Sequence, residues 1–292
     1  MRLGGRDSDN FIDRTGQSGG RGGGGISVGI LALVARFVFN KFGIVGVLIL
    51  GLGYCALSGG MSGLMGGGAP TTADSANPEA STLSAENREL LTGTLESTDD
   101  IWGRLINGYQ EPTLVAYRGG TQTACGYGQA VMGPFYCPAD ERIYIDPDFF
   151  RELETKFGAE GDFAARYVIA HEVGHHIQKL EGTLASVQRQ QARISQEQGN
   201  RLQVGVELQA DCYAGVWAAN ARDDQGRSLL EPGDVEEGMT AASSIGDDTL
   251  QRRSGRAVQP ESFTHGTSAQ RMEALRRGLQ TGDPRQCNYA GR

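Results

Sequence analysis

The sequence predicts an α+β domain carried behind one membrane-spanning helix, and three observations lead there. Residues 113–145 read as several short strands. Two long helical patterns follow, at 162–180 and 202–220, with apolar positions three and four apart. Ahead of everything lies an uncharged, mostly apolar stretch that starts at Phe42.

Taken in chain order, residues 1–25 are rich in glycine, arginine and polar side chains and are expected to be disordered. Residues 26–59 form the expected anchor region. Ile26 to Phe39 is apolar but carries Arg36, and the spanning core is placed at about 42–59, with Lys41 or Arg36 snorkelling if the helix starts earlier. Residues 1–41 hold six Lys/Arg and three Asp/Glu, and no further basic residue occurs until Arg88. The positive-inside rule then puts the N-terminus in the cytoplasm and the large domain across the membrane. Ala56-Leu57-Ser58 resembles a cleavage site, but a leading region this long favours a retained anchor. Residues 60–82 are small and polar, as in a flexible linker, which leaves 83–292 as one cored domain.

Within that domain, Thr113–Tyr117, Gln129–Met132, Phe135-Tyr136 and Arg142–Ile145 read as strands of a small antiparallel sheet, with a bend at Gly133-Pro134. Asp162 is the expected N-cap of a helix running from Phe163 to Leu180. Its apolar stripe is Phe163, Tyr167, Ala170, Gly174 and Ile177, widened by Ile169, Val173 and Leu180. Ser186 to Gln198 is polar and glutamine-rich, suited to a surface helix or a flap. The second long helix, Leu202 to Asn220, carries Leu202, Val206, Ala210, Tyr213 and Trp217 in helical spacing. Thr267 and Ser268 are N-cap candidates for a last helix, and Asp247-Asp248 reads as a helix or turn position.

Three of the four histidines fall in His171-Glu172-Val173-Gly174-His175-His176, which contains H-E-x-x-H. Imidazoles four apart on a helix share a face and can grip one metal ion, with the intervening glutamate close enough to act on a water bound to it. Charged and imidazole groups in so apolar a helix need a partner, and a metal supplies one. His176 lies on another face and reads as a hydrogen-bonded structural residue. Two positions compete for the third ligand. Glu181 stands where an extended H-E-x-x-H-x-x-G-x-x-H pattern would place a histidine, but Gln178 occupies the place of its glycine. Glu207, in Glu207-Leu208-Gln209-Ala210-Asp211, shares a helix face with Asp211. One carboxylate could bind the metal while the other accepts the free N–H of a ligand histidine.

His171-Glu172-x-x-His175 followed by Glu207-Leu208-Gln209-Ala210-Asp211 resembles the glutamate-zincin metallopeptidases. The chain is more closely similar to a bacterial family of neutral zinc metallopeptidases. That likeness also rests on Gly133 to Pro138, Tyr167 to His176, Glu207 to Trp217, Ile245 to Asp248 and Phe263 to Arg271, and it runs from about Leu83 to the C-terminus. The resemblance implies a zincin-like fold with one zinc per chain on His171, His175 and Glu207. It further implies a peptide or protein substrate and an N-terminal anchor in the bacterial inner membrane, with the catalytic domain periplasmic or extracellular. Glu172 would act as general base towards a zinc-bound water, making the protein an endopeptidase. His265 sits in a T-H-G turn. Related zincins carry a histidine in a similar place, so it is either an active-site hydrogen-bond donor or a residue fixing the turn. Gly133 to Tyr136 is a candidate substrate-facing edge.

Cys55 lies in the apolar stretch, leaving four cysteines and three possible pairings. Cys125–Cys137, between neighbouring strands, and Cys212–Cys287, tying the C-terminal tail to the helix of Glu207, are favoured; both suit an exported domain. None has C-x-x-C spacing, so none is assigned to a metal. Past residue 41 the net charge is −11, which argues against a nucleic-acid partner. No phosphate-binding glycine loop or nucleophile elbow is present. The rival reading is a catalytically silent, membrane-anchored scaffold on the same fold, against which the intact Glu172 speaks.

Overall fold

A computed structural model describes residues 1–3, 8–17, 81–223 and 225–290. One folded unit contains residues 1–19 together with 80–292. Its strands are β1 (Phe11–Asp13), β2 (Thr113–Ala116), β3 (Gly120–Thr123), β4 (Gly126–Gln129), β5 (Phe135–Cys137) and β6 (Arg142–Ile145). Its helices are α1 (Ala85–Leu105), α2 (Asp148–Thr155), α3 (Asp162–Leu180), α4 (Thr183–Gln191), α5 (Gln196–Asn220), α6 (Asp234–Ser244), α7 (Asp247–Arg253) and α8 (Ser268–Thr281).

The α+β class holds, but the sheet is not antiparallel as expected. Its order is β1-β2-β6-β5, with β1–β2 and β2–β6 parallel and only β6–β5 antiparallel; β3 and β4 form a separate hairpin. The difference comes from chain routing. The β3–β4 hairpin intervenes before β5, so β6, rather than β5, comes to lie beside β2. Gln129–Met132 is not a strand either: β4 ends at Gln129 and Ala130–Met132 is a 3-10 turn.

Residues 8–17 are not the disordered tail that glycine-rich composition suggests. Phe11, Ile12 and Asp13 pair with Leu114, Val115 and Ala116, and Phe11 packs into the cluster under the sheet. Among the described residues no helix is long and apolar enough to cross a membrane. The anchor expected at 26–59, and the linker at 60–82 apart from Ser81 and Thr82, lie outside them.

Helix α3 is the central element, and its two apolar faces explain why. Ile169, Val173 and Ile177 pack on Leu114, Ala116, Ile143 and Ile145 of the sheet and on Leu91, Leu95 and Trp102 of α1. Phe163, Tyr167 and Ala170 face Ala214 and Trp217 of α5, Ala241 of α6 and Leu275 of α8. Residues of β2 and β6 alternate as strands must, so Val115 and Tyr144 turn to the other side, where Tyr117 and Cys137 meet them. The helix N-cap is Gly161, not Asp162. Asp162 occupies the first turn, where its carboxylate pairs with Arg166 (3.1 Å) and the Met1 amino group (3.0 Å).

The favoured cysteine pairs are the bridges of the structure, Cys125–Cys137 and Cys212–Cys287. The second closes a separation of 75 residues and is worth about 4 kcal/mol on a chain-entropy account.

One buried acid makes the fold pH-dependent. Asp99 on α1 accepts a hydrogen bond from the Tyr109 hydroxyl at 2.6 Å. Burial, followed by the nearby charges of Glu111, Glu96 and Asp100 and opposed by that bond, pushes its carboxyl up to about 8. The folded state therefore binds the proton more tightly than the unfolded chain. Asp99 supports the fold at low pH, and that support fades as pH rises from about 4 to about 8. Asp99→Asn keeps an acceptor for Tyr109 without the charge. Its melting temperature should match the parent near pH 4 and exceed it by a few degrees at pH 8, as read by differential scanning fluorimetry.

Candidate metal centre and its relatives

The two candidate ligand histidines and the candidate third ligand meet because two helices approach unusually closely. A side chain at Gly174 of α3 would come within 3.0 Å of the Ala210 backbone of α5. Glycine at this point lets α3 and α5 cross almost backbone to backbone. His171 and His175, about a turn before Gly174 and directly after it, and Glu207, about a turn before Ala210, then converge. The Glu207 Oε2 lies 3.2 Å from His171 Nε2 and 3.6 Å from His175 Nε2. The two rings are 4.8 Å apart and nearly perpendicular. Zinc bonds of about 2.0–2.1 Å in a tetrahedral set separate ligand atoms by about 3.3 Å, so two nitrogens and one carboxylate oxygen at these distances fit that ion. Glu172 lies close to the two histidines, with ligand atoms of His171, Glu172 and His175 all within 4.8 Å of one another.

Each histidine is oriented through its other nitrogen. His171 Nδ1 donates to Asp211 Oδ1 at 2.8 Å, and His175 Nδ1 donates to Gln178 Oε1 at 2.9 Å. Gln178 is itself fixed, donating to the Val206 carbonyl (2.7 Å) and to Gln209 Oε1 (3.0 Å). The second Glu207 oxygen accepts from Gln203 at 3.0 Å. Burial alone would lower the His171 pKa, but the charge and hydrogen bond of Asp211, with the bond to Glu207, outweigh it and raise it to about 10. A metal at Nε2 would displace that proton, so uptake should release protons.

Asp211 is fully buried and carries a dense set of partners. Besides His171 it accepts from the Tyr167 hydroxyl (2.6 Å), and Arg271 reaches both of its oxygens at 2.8 Å. Arg271 comes this deep because α5 and α8 also touch through glycine: a side chain at Gly278 would fall 2.0 Å from the Cys212 carbonyl oxygen. Burial favours a neutral Asp211, yet Arg271 and then His171 hold its carboxyl well below the usual range. Removing Arg271 leaves a buried carboxylate without its cation. Arg271→Ala should therefore cost about 3 kcal/mol, a fall in melting temperature of about 6–12 °C. Arg271→Ala combined with Asp211→Asn should recover part of that loss, which calorimetry would show.

The other expected residues fall as follows. Glu181 lies at the C-cap of α3, accepts from the Tyr213 hydroxyl at 2.9 Å, and is not among the converging ligands. His176 is buried. The Gln110 carbonyl, which can only accept, lies 2.6 Å from its Nε2, so Nδ1 accepts from the Tyr136 hydroxyl at 2.9 Å. Tyr136 belongs to β5, an edge strand of the sheet, so this histidine ties that edge to α3. His265 is half-exposed, 3.3 Å from Asp247 Oδ1 through Nδ1. Asp247 Oδ2 accepts the backbone N–H groups of Thr264 (2.8 Å), His265 (2.6 Å) and Gly266 (3.0 Å). One carboxylate thus folds the whole turn around His265. Burial works to lower the His265 pKa, but Asp247 and the charge of Glu207 raise it.

The family described as "Putative neutral zinc metallopeptidase" matches residues 1–290. The chain belongs to this family. A relative named "Uncharacterized protein YpfJ" from Escherichia coli (strain K12) is 45% identical over 292 residues, 98% of this chain and 97% of its own length. "Uncharacterized protein Rv2575" from Mycobacterium tuberculosis (strain ATCC 25618 / H37Rv) is 42% identical over 206 residues, 68% of this chain and 69% of its own. No solved structure matches the chain. The family name carries zinc and peptidase chemistry in general; the names of the relatives add no activity.

Proposed function

We propose that the protein is a zinc endopeptidase in which His171, His175 and Glu207 hold the metal and Glu172 is the general base. The observation that carries this reading is the approach of Glu207 Oε2 to the two Nε2 atoms, with Glu172 close to both histidines. Zinc held there would polarise the scissile carbonyl and bring the pKa of an attacking water down to about 7. Glu172 takes a proton from that water and passes it to the leaving amine. Asp211 and Gln178 keep both imidazoles turned towards the metal position. His265, aimed by Asp247, donates to the carbonyl oxygen as it gains charge. An extended substrate lies along β5, whose outer side has no strand partner among the described residues. The two disulfides favour work in an oxidising compartment.

The test is elemental analysis of the full-length chain, purified without added metal, together with incubation on denatured protein substrates and sequencing of the products. One zinc per chain and cleavage at internal bonds are the expected results. A folded chain that refuses added zinc and cleaves nothing would leave the silent scaffold as the better account.

A further inference from the structure

The residues on either side of the apolar stretch are fastened to each other. Thr82 donates its backbone N–H to Thr15 Oγ1 (3.1 Å), and its hydroxyl donates to the Thr15 carbonyl (3.0 Å). Asp13 accepts from the Ser81 hydroxyl and pairs with Arg88 of α1 at 2.8 Å. The Arg88 guanidinium also lies 5.1 Å above the Phe11 ring. Behind this clasp, β1 is a hydrogen-bonded strand of the sheet on which the metal helix packs. Further towards the N-terminus, the Arg2 N–H donates to the Leu229 carbonyl at 3.0 Å. These contacts lie on three separate parts of the domain, so the N-terminal arm is built into it rather than resting on it.

A bilayer core is about 30 Å thick. If the chain crossed it once between residues 26 and 59, Thr15 and Thr82 would lie on opposite faces, and neither the clasp nor the β1–β2 pairing could form. We propose that residues 8–17 lie on the same side of the membrane as the metal centre. This replaces the single crossing read from sequence, and it holds whether or not the site cleaves peptides.

The experiment uses the full chain expressed in bacterial cells, with one exposed position of each part changed to cysteine: Asp9→Cys in the arm and Gln225→Cys in the domain. A membrane-impermeant maleimide is added to spheroplasts before and after lysis, and the labelled peptide is identified by mass spectrometry. Matched labelling of the two positions, both before lysis or both only after it, is the expected result. Labelling of one with protection of the other would overturn the proposal, and so would recovery of the protein in the soluble fraction alone. A second variant reads the clasp directly. Thr15→Cys with Thr82→Cys should form a cross-linked 15–82 peptide in membranes under oxidising conditions. Its absence, in protein whose Cys125–Cys137 and Cys212–Cys287 bridges are intact, would count equally against the proposal.

Discussion

Glu172→Gln should lower peptide hydrolysis by about 10³-fold or more while leaving the zinc content of the chain unchanged. Glutamine has the shape of glutamate and fills the same space on α3, but its amide cannot take a proton from water. A positioned general base contributes about 10²–10⁴ in rate, and here the same carboxylate would serve both the attack and the departure of the amine. The proposed ligand atoms lie on His171, His175 and Glu207, whose orienting partners are Asp211, Gln178 and Gln203. None of those three orienting partners hydrogen-bonds Glu172, so metal affinity should hold. The comparison needs kcat/KM on an internally quenched peptide beside metal-resolved mass spectrometry of the same samples. Full activity in the variant would show that another group takes the proton. Loss of zinc together with activity would show that Glu172 is a ligand, a role its place beside both histidines also permits.

What the sequence made legible is what helical periodicity can carry. His171, Glu172 and His175 lie within one and a half turns, and Glu207 with Asp211 repeats the same i, i+4 spacing, so local pattern put forward five residues that the fold gathers, and the family resemblance chose Glu207 over Glu181. Arg271 left a fainter trace. It stands in register with Ala274, Leu275 and Gly278 on the buried face of α8, and a charge on an apolar stripe needs a buried partner. Asp247 left almost none, because its work is done on backbone N–H groups 17 to 19 residues away. Gln178 was read only as the absence of a glycine, although its amide orients His175. β1 was illegible for a different reason. A three-residue strand in glycine-rich surroundings has no period to detect, and its pairing with β2 spans about a hundred residues. Parallel register is set by tertiary contacts, which also explains why the sheet was mistaken for an antiparallel one.

Glu207→Ala should weaken zinc binding by about 10³-fold, whereas Glu181→Ala should leave it unchanged. Two imidazoles on one helix form only half of a tetrahedral set, and the Glu207 carboxylate of α5 lies 3.2 Å and 3.6 Å from their Nε2 atoms. The charge matters as much as the bond. Burial works against ionisation, yet the His175 charge and the hydrogen bond to His171 hold the Glu207 carboxyl well below its ordinary range. Zinc would take the place of those protons and meet a ligand already ionised. Alanine removes the ligand oxygen, the negative charge and the acceptor for Gln203 together. Glu207→Gln separates these contributions, since it keeps volume and a weak oxygen donor but no charge, and it should fall between the parent and the alanine variant. Competition with a chromogenic chelator would rank the series. If Glu181→Ala lost zinc and Glu207→Ala retained it, the third ligand would belong to the end of α3, and α5 would be left with a structural role only. The Tyr213 hydroxyl bond to Glu181 argues for the opposite outcome, because it already occupies a carboxylate oxygen there.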